Sequence, residues 1–528
     1  MKKYELIIAL LLALSSTSFG QIFPDNYLLS SDKLSKISDK TPLSNSITDI
    51  ITDGNIIWLG TSRGLSKTVD DGKTWSNYFL SPDFGDESII ALGINNDVIW
   101  VSLGHSREIN GSLLPEGSGL VYSINKGETW NKLPQPIDEL NDSLINYGSN
   151  IIRALPVTTA VNNISYDIAF TENTIWIASF AGGLRKSTDM GQTWQRVILP
   201  PDNLDSIKPE DTLHFSLQPV AGKFGTEGYL NHRVFSVIGI DDSTLIAGTA
   251  GGINISTDNG ISWKKFNHQN QSQPITGNFI TSLAYDKAKK VIWASTWKAE
   301  AMEETWGVSA SSNGGKSWET FLLGERAHNF GFKYFGDYDS PFNSEVIAAT
   351  DNGIFRSNDD GKNWLSPGSI YDRENSFSIE TNIFYSAVSK KIVDNSIDIW
   401  IGSSNGLAVI NETFGFWEGT WRVFLASPEI SNKGKTFAFP NPFSPYQRDV
   451  KIKYNLNGEI ADVSVRIFDF NMNLVRSLIQ NAQRGGQDQI EYWNGKDDDG
   501  KYVSNGAYFY RIDIGEKEKL YGKILVIK

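Results

Sequence analysis

Between residues 47 and 424 the chain repeats one pattern of apolar and polar positions. The run IIWLGTSRGL (Ile56–Leu65) is an apolar stretch ending in a glycine-containing turn. It returns as TIWIASFAGGL (Thr174–Leu184), TLIAGTAGGI (Thr244–Ile253), VIAATDNGI (Val346–Ile354) and DIWIGSSNGL (Asp398–Leu407). Short apolar runs bounded by Gly, Ser, Asn and Asp predict strands. Six octets of the form Ser/Thr-x-Asp/Asn-x-Gly-x-Ser/Thr/Asn-Trp are interleaved with them. They are TVDDGKTW (Thr68–Trp75), SINKGETW (Ser123–Trp130), STDMGQTW (Ser187–Trp194), STDNGISW (Ser256–Trp263), SSNGGKSW (Ser311–Trp318) and SNDDGKNW (Ser357–Trp364). β-Rich runs flank each octet, so it should join two antiparallel strands. Its Asp or Asn would accept turn amides, its Gly a backbone angle that a Cβ would penalise. The closing Trp would bury a large ring while its N–H finds a partner.

Each unit reads as four strands, the first over about Ile47–Leu80 and the last over about Glu380–Phe424, the seventh lacking a clear octet. Seven units predict an all-β fold, a seven-bladed β-propeller. Trp58, Trp100, Trp176, Trp293 and Trp400 occupy one position of the second strand and are expected to pack between blades. The octets resemble Asp-boxes, the BNR repeats of sialidases, sortilin-type receptors, some glucanases and photosystem II assembly factors. That resemblance implies structural turns, with scaffold carboxylates.

From about residue 431 the pattern changes. A Pro-rich lead-in, FPNPFSP (Phe439–Pro445), precedes six or seven short alternating strands, which predict an immunoglobulin-like β-sandwich. The run Asp497–Gly500 is expected to be a charged hairpin tip, since a calcium loop needs a longer spaced acidic series. FPNPF, VSVRIFDFNMNLVRSL, WNGKDDDGKYVSNGAYFYRI and KILVIK together resemble the Ig-like domain of the flagellar hook-capping protein. They also resemble the C-terminal sorting domain of type IX secretion cargo. The resemblance implies Sec export, recognition of the tail by the type IX machinery, and release or surface attachment.

At the other end Lys2 and Lys3 precede the apolar run Leu6–Leu14 and the small residues Ser18 and Gly20. This is the form of a signal peptide cut before Gln21, and the run is too short to span a membrane. The expected organisation is therefore signal peptide 1–20, lead-in 21–46, propeller 47–424, linker 425–436 and sorting domain 437–528. The mature chain should be secreted or held at the outer-membrane surface, with no transmembrane segment.

Composition narrows the chemistry. The 528 residues contain no Cys, which excludes disulfides, thiolate metal sites and a cysteine nucleophile. The net charge of −13 argues against a nucleic-acid partner. The five histidines show no metal-ligand spacing, and no metal or cofactor is expected.

In a propeller, the loops joining strands two to three and blade to blade share one face, and the octets lie on the other. Long irregular stretches at Gly104–Ser118, Asp138–Asn163, Pro201–His232, Lys298–Thr305 and Glu325–Ser344 are expected mostly on the first face, making it the functional one. Trp297, Trp306 and Tyr229 are the candidate binding residues, with Tyr334 and Phe335 as further platforms. Glu300, Glu303, Glu304, Asp337 and Asp339 are candidate carboxylates. They are taken to favour neutral or cationic ligands. No catalytic residue can be assigned. The Arg-Ile-Pro signature of sialidases is missing, and the first-blade Asp of xyloglucan-active glucanases is replaced in Thr61-Ser62-Arg63-Gly64. Thr350-Asp351-Asn352-Gly353 recovers an Asp, in the sixth unit. The expected function is binding of an extracellular glycan or protein; the alternative is a glycoside hydrolase of sialidase-like or xyloglucanase-like type.

Overall fold

The computed structural model describes residues 40–220, 230–299, 303–336, 340–375, 377–391, 396–426, 436–456, 460–485, 488–515 and 518–528. The expected signal peptide, most of the lead-in and most of the linker lie outside these residues. The chain divides into two compact units, with the boundary between Ala426 and Ser427.

The first unit is a β-propeller. Its first sheet runs in sequence through Ile47–Asp53, Ile56–Thr61, Gly64–Thr68 and Ser76–Tyr78, each strand antiparallel to the last. Among the described residues seven sheets of this meander type follow one another, and their first strands begin at Ile47, Ser88, Ser165, Val234, Phe279, Ala327 and Phe384. Each first strand packs on that of the next sheet, and Phe384–Lys391 packs on Ile47–Asp53, which closes the ring. The sixth sheet has three regular strands, and its fourth is reduced to a bridge between Arg356 and Leu365.

The octets join the third and fourth strands. In the third blade the Ser187 hydroxyl accepts the Gly191 N–H at 2.9 Å and donates to Asp189 Oδ1 at 2.8 Å. Asp189 also accepts the Thr193 N–H at 2.9 Å and the Thr193 hydroxyl at 2.6 Å. These bonds, the Thr193 hydroxyl first, hold the carboxyl down at about 2. The carboxyl is exposed, so it organises the turn from the surface and not from within the core.

The glycine of each octet meets the preceding blade. Ideal Cβ atoms on Gly127 and Gly260 would lie 2.8 Å from Trp58 Cη2 and 2.5 Å from Trp176 Cη2. The octet tryptophans then meet second-strand tryptophans edge-on. Trp130 stands on Trp58 at 6.0 Å, Trp364 on Trp293 at 6.0 Å and, across the closure, Trp75 on Trp400 at 6.4 Å. The second-strand tryptophans therefore do pack between blades. The expectation that the octet N–H groups find partners holds for Trp263, which donates to Gly260 O at 3.2 Å. It fails for Trp75, Trp130, Trp194, Trp318 and Trp364, whose buried Nε1 atoms have no hydrogen bond among the described residues. Their rings pack against aromatic and aliphatic neighbours.

Two expected loops are hairpins instead. Gly104–Ser118 is the end of a long hairpin, Val98–Ile109 against Ser112–Ser123. It turns at Asn110 (φ 53°) and Gly111 (φ 79°), the positive angles a two-residue turn needs to match strand twist. Glu325–Ser344 is mostly the hairpin of Ala327–Gly336 and Pro341–Thr350. That hairpin joins first and second strands, so Tyr334 and Phe335 belong to the octet end and not to the insertion face. The junction insertions also fold. Leu144–Tyr147, Asn150–Ala154 and Ser216–Leu217 make a small sheet, and Ser206–Ile207 adds a fifth strand to the fourth blade. They bury Ile152, Ile207, Leu213 and Leu217 with Trp176 and Trp263.

The second unit has two sheets. One contains Phe437–Phe439, Val450–Asn455 and Asp488–Trp493; the other contains Leu474–Arg484, Ala461–Phe468, Gly506–Ile514 and Glu518–Val526. Phe443, Trp493, Tyr454 and Tyr510 sit in its core. The FPNPF segment covers an edge. Asn441 donates to Lys523 O at 2.7 Å and accepts the Leu525 N–H at 2.7 Å, while Phe443 exchanges backbone bonds with Leu525 and Ile527. An uncovered strand edge invites foreign pairing, and here the chain blunts its own. Asp497 accepts the Lys501 N–H at 2.8 Å, a turn bond. No group of residues that could hold a metal ion exists among the described residues.

Candidate functional site

Every first strand of the propeller carries a β-bulge at one place. The register shifts between Ile47 and Asp49, Ile89 and Ala91, Ser165 and Asp167, Val234 and Ser236, Ile280 and Ser282, Ala327 and Asn329, and Phe384 and Ser386. A bulge re-aims the extra side chain. The extra residues Thr48, Ile90, Tyr166, Phe235, Thr281, His328 and Tyr385 all line a central cavity of about 860 Å³.

All but one of the residues following the bulges are polar, Ala91 being the exception. Asp49 accepts the Leu92 N–H at 3.2 Å, and Asp167 accepts the Val237 N–H at 2.8 Å. Burial raises Asp49 to about 6 and Asp167 to about 7, against the backbone bonds that pull both down. A carboxyl whose folded value exceeds its unfolded value near 4 makes the native state bind extra protons between about pH 4 and 7. The contribution of these two carboxyls is thus fully present below that window and is lost as the pH rises through it. Asp167→Asn is expected to flatten the dependence of melting temperature on pH between 5 and 8. A slope unchanged from wild type in thermal melts would show that the carboxyl is not protonated on folding.

The mouth at the insertion face is aromatic. Ring centroids step from Tyr166 to Phe235 (5.5 Å), Phe279 (4.4 Å), Trp297 (6.3 Å), His328 (5.8 Å) and Tyr385 (5.3 Å), and Phe180 flanks Phe235 at 6.1 Å. All keep partial exposure. This arc spans the third to the seventh blade.

Three connections converge at its far side. The second-to-third-strand insertion of the fifth blade brings Trp297 and Trp306, the junction into the sixth blade brings Arg326, and the turn of the sixth brings Asp351. Trp297 Nε1 donates to Ala327 O at 3.1 Å, and the Gly324 N–H donates to Trp306 O at 2.8 Å. Arg326 lies over both indoles, 5.8 Å from each centroid. Its Nη2 is 2.8 Å from Asp351 Oδ2, while His328 Nε2 is 2.7 Å from Asp351 Oδ1.

Of the sequence candidates, Trp297 is in the arc and Trp306 beside it, whereas Tyr229, Glu300, Asp337 and Asp339 lie outside the described residues. Glu304 is buried, and it accepts the Asn278 and Ala299 N–H groups at 3.1 and 2.8 Å. It therefore clasps the base of the insertion and does not face a ligand. Glu303 is exposed. Glu304 is thus turned away from the rim while Glu303 stays exposed, and the charged group over the indoles is Arg326, paired with Asp351. Sequence reading missed Arg326, the ring of His328, Tyr385 and the first-strand aromatics. Tyr166, Phe235, His328 and Tyr385 share one signal, the second position of a first strand before a polar residue, visible only when the seven strands are laid together.

No helix among the described residues is long and apolar enough to cross a membrane. Residues 446–515 match the family model described as the FlgD Ig-like domain. No curated protein matches the chain. Among solved structures, an ancestral GH74 enzyme is similar at 13% identity with a TM-score of 0.51, over 92% of this chain and 63% of that one. The chain thus spans less than two thirds of that enzyme's length. YCF48 from Cyanidioschyzon merolae is matched at 11% identity and a TM-score of 0.38, over 70% of this chain and 93% of that one. PorZ, a surface component of the type-IX secretion system of Porphyromonas gingivalis, is matched at 12% identity and a TM-score of 0.27, over 92% and 75%. At these identities the likeness is one of fold: a β-propeller, followed by a unit whose residues 446–515 are similar to the FlgD Ig-like domain.

Proposed function

We propose that this chain is an exported cell-surface or secreted propeller that binds an extracellular glycan or protein at the channel mouth. The observation carrying this reading is the arc of partly exposed rings from Tyr166 to Tyr385, with Trp306 at its rim. Concave sites lined by aromatic groups with a few fixed polar ones are the usual form of a ligand site. Replacing Trp297 and Trp306 together by Ala is expected to weaken binding on a glycan array at least tenfold. Replacing Lys73 and Lys362, in octet turns, should leave it unchanged. The reverse outcome would move the site to the octet face.

The second unit is the address in this reading, with type IX secretion as the route. The basic and apolar segment before Gln21, the tail's likeness to sorting domains and the match over residues 446–515 support it. Cells expressing a chain that lacks Phe437–Lys528 should retain a folded propeller in the periplasm on fractionation. Its appearance in the medium or on the surface would end the sorting role.

A hydrolase is the second reading, favoured by the shared fold with a GH74 enzyme and by Asp351 at the mouth. Both oxygens of Asp351 are already engaged by Arg326 and His328. A glycosidase needs two carboxyls roughly 5–9 Å apart flanking the bond. Turnover of a fluorogenic glycoside that disappears in Asp351→Asn would establish it over simple binding.

A further inference from the structure

Resting on the channel mouth as the binding face, we propose that the ligand is a carboxylated saccharide and that Arg326 receives its carboxylate. The Arg326 side chain is 49% exposed although it is held from two sides. Its guanidinium covers Trp297 and Trp306, and one nitrogen is anchored on Asp351. It has no other hydrogen-bond partner among the described residues, so its remaining N–H donors stay available at the rim. Trp306, 41% exposed, offers a ring face beside it. A guanidinium stacked on aromatic faces is weakly hydrated and already planar, and its fork matches a carboxylate with two parallel bonds. A sugar ring on the indole would bring a ring carboxylate to that fork.

The chain's net charge of −13 sets a limit on ligand charge, because its field opposes densely charged polyanions at low salt. A moderately charged uronate chain stays within that limit.

The test uses the mature full-length protein in calorimetric titrations with oligogalacturonate and with the same oligomer fully methyl-esterified. The acid form should bind roughly tenfold more tightly at low salt, the size of one charge-assisted hydrogen-bonded contact, with the advantage shrinking as salt is added. Arg326→Met should weaken the acid form far more than the ester and so erase the advantage, and Arg326→Lys, which keeps the charge without the fork, should restore part of it. Equal binding of acid and ester, or an advantage that survives Arg326→Met, overturns the inference and leaves the mouth as the binding face. Failure of both forms to bind also overturns it. The binding face itself falls only if the Trp297 and Trp306 replacements leave the array unchanged.

Discussion

Replacing Arg356 by Met is expected to lower the stability of the propeller by about 3–5 kcal/mol, measured by urea unfolding at pH 8. Arg356 is fully buried between the sixth and seventh blades. Its Nε donates to Glu345 Oε2 at 2.7 Å, and its Nη1 and Nη2 donate to the two oxygens of Glu412 at 2.5 and 2.9 Å. Lys333 adds a bond to Glu412 at 2.6 Å, and Phe416 and Trp417 cover the guanidinium at 4.4 and 5.2 Å. Burial pushes Glu412 up, but the bonds from Arg356 and Lys333 outweigh it and hold the carboxyl below its ordinary value. In the wild type this stabilisation is present above the unfolded value near 4.3 and is lost as the pH falls through the folded one. Without Arg356 the two carboxylates are left buried, and protonation is their way out. The loss should therefore be larger at pH 8 than at pH 5, and adding Glu345→Gln and Glu412→Gln should recover part of it. A neutral Arg356→Met would mean that water already reaches the network.

The network occupies the place where the repeat lapses. The sixth blade has Ile347 paired with Arg356, as the first has Trp58 paired with Lys67, and the seventh blade has no octet to set against it. Phe416 and Trp417 in the seventh blade's last turn take the octet's place, and Trp417 Nε1 is secured on Leu365 O at 3.0 Å.

Gly260→Ala is expected to cost about 2–5 kcal/mol. The residue has φ +78°, where a Cβ costs about 1–2 kcal/mol. The added carbon would also stand 2.5 Å from Trp176 Cη2, and forcing a packed core to shift adds about 1–3 kcal/mol. Gly314 separates the two contributions. It has φ +70° with nothing within 4 Å, so Gly314→Ala should lose the conformational part alone. Equal losses at both positions, read as unfolding midpoints, would show that the indole yields freely and that octet-on-tryptophan packing does not hold the blades together.

Strand and turn positions were legible because they depend on neighbours a few residues away. Alternation, β-branching and glycine turns marked the second and third strands. The octets announced the third-to-fourth connection, since the hydroxyl, the carboxyl and the glycine of that turn all lie within eight residues. The same kind of signal was present and overlooked at Asn110-Gly111, which extends a hairpin where an irregular loop was expected. Trp297 and Trp306 could be nominated because they flank an insertion, and the insertion face follows from the alternation of strand direction alone.

The mouth itself could not be read this way. Tyr166, Phe235, Phe279, Trp297, His328 and Tyr385 are separated by up to 219 positions and meet because the first strands of successive blades pack side by side. Glu304 looked like a rim carboxylate until packing turned it onto backbone amides, whereas Arg326, with nothing in its local sequence to mark it, was placed over two indoles by three converging connections. The pairing of Arg356 with two glutamates and the raised values of Asp49 and Asp167 likewise depend on burial and on partners from other blades. Local chemistry decides which residues turn and which extend, but burial, charge pairing and the convergence of distant side chains come into being only when the blades pack on one another.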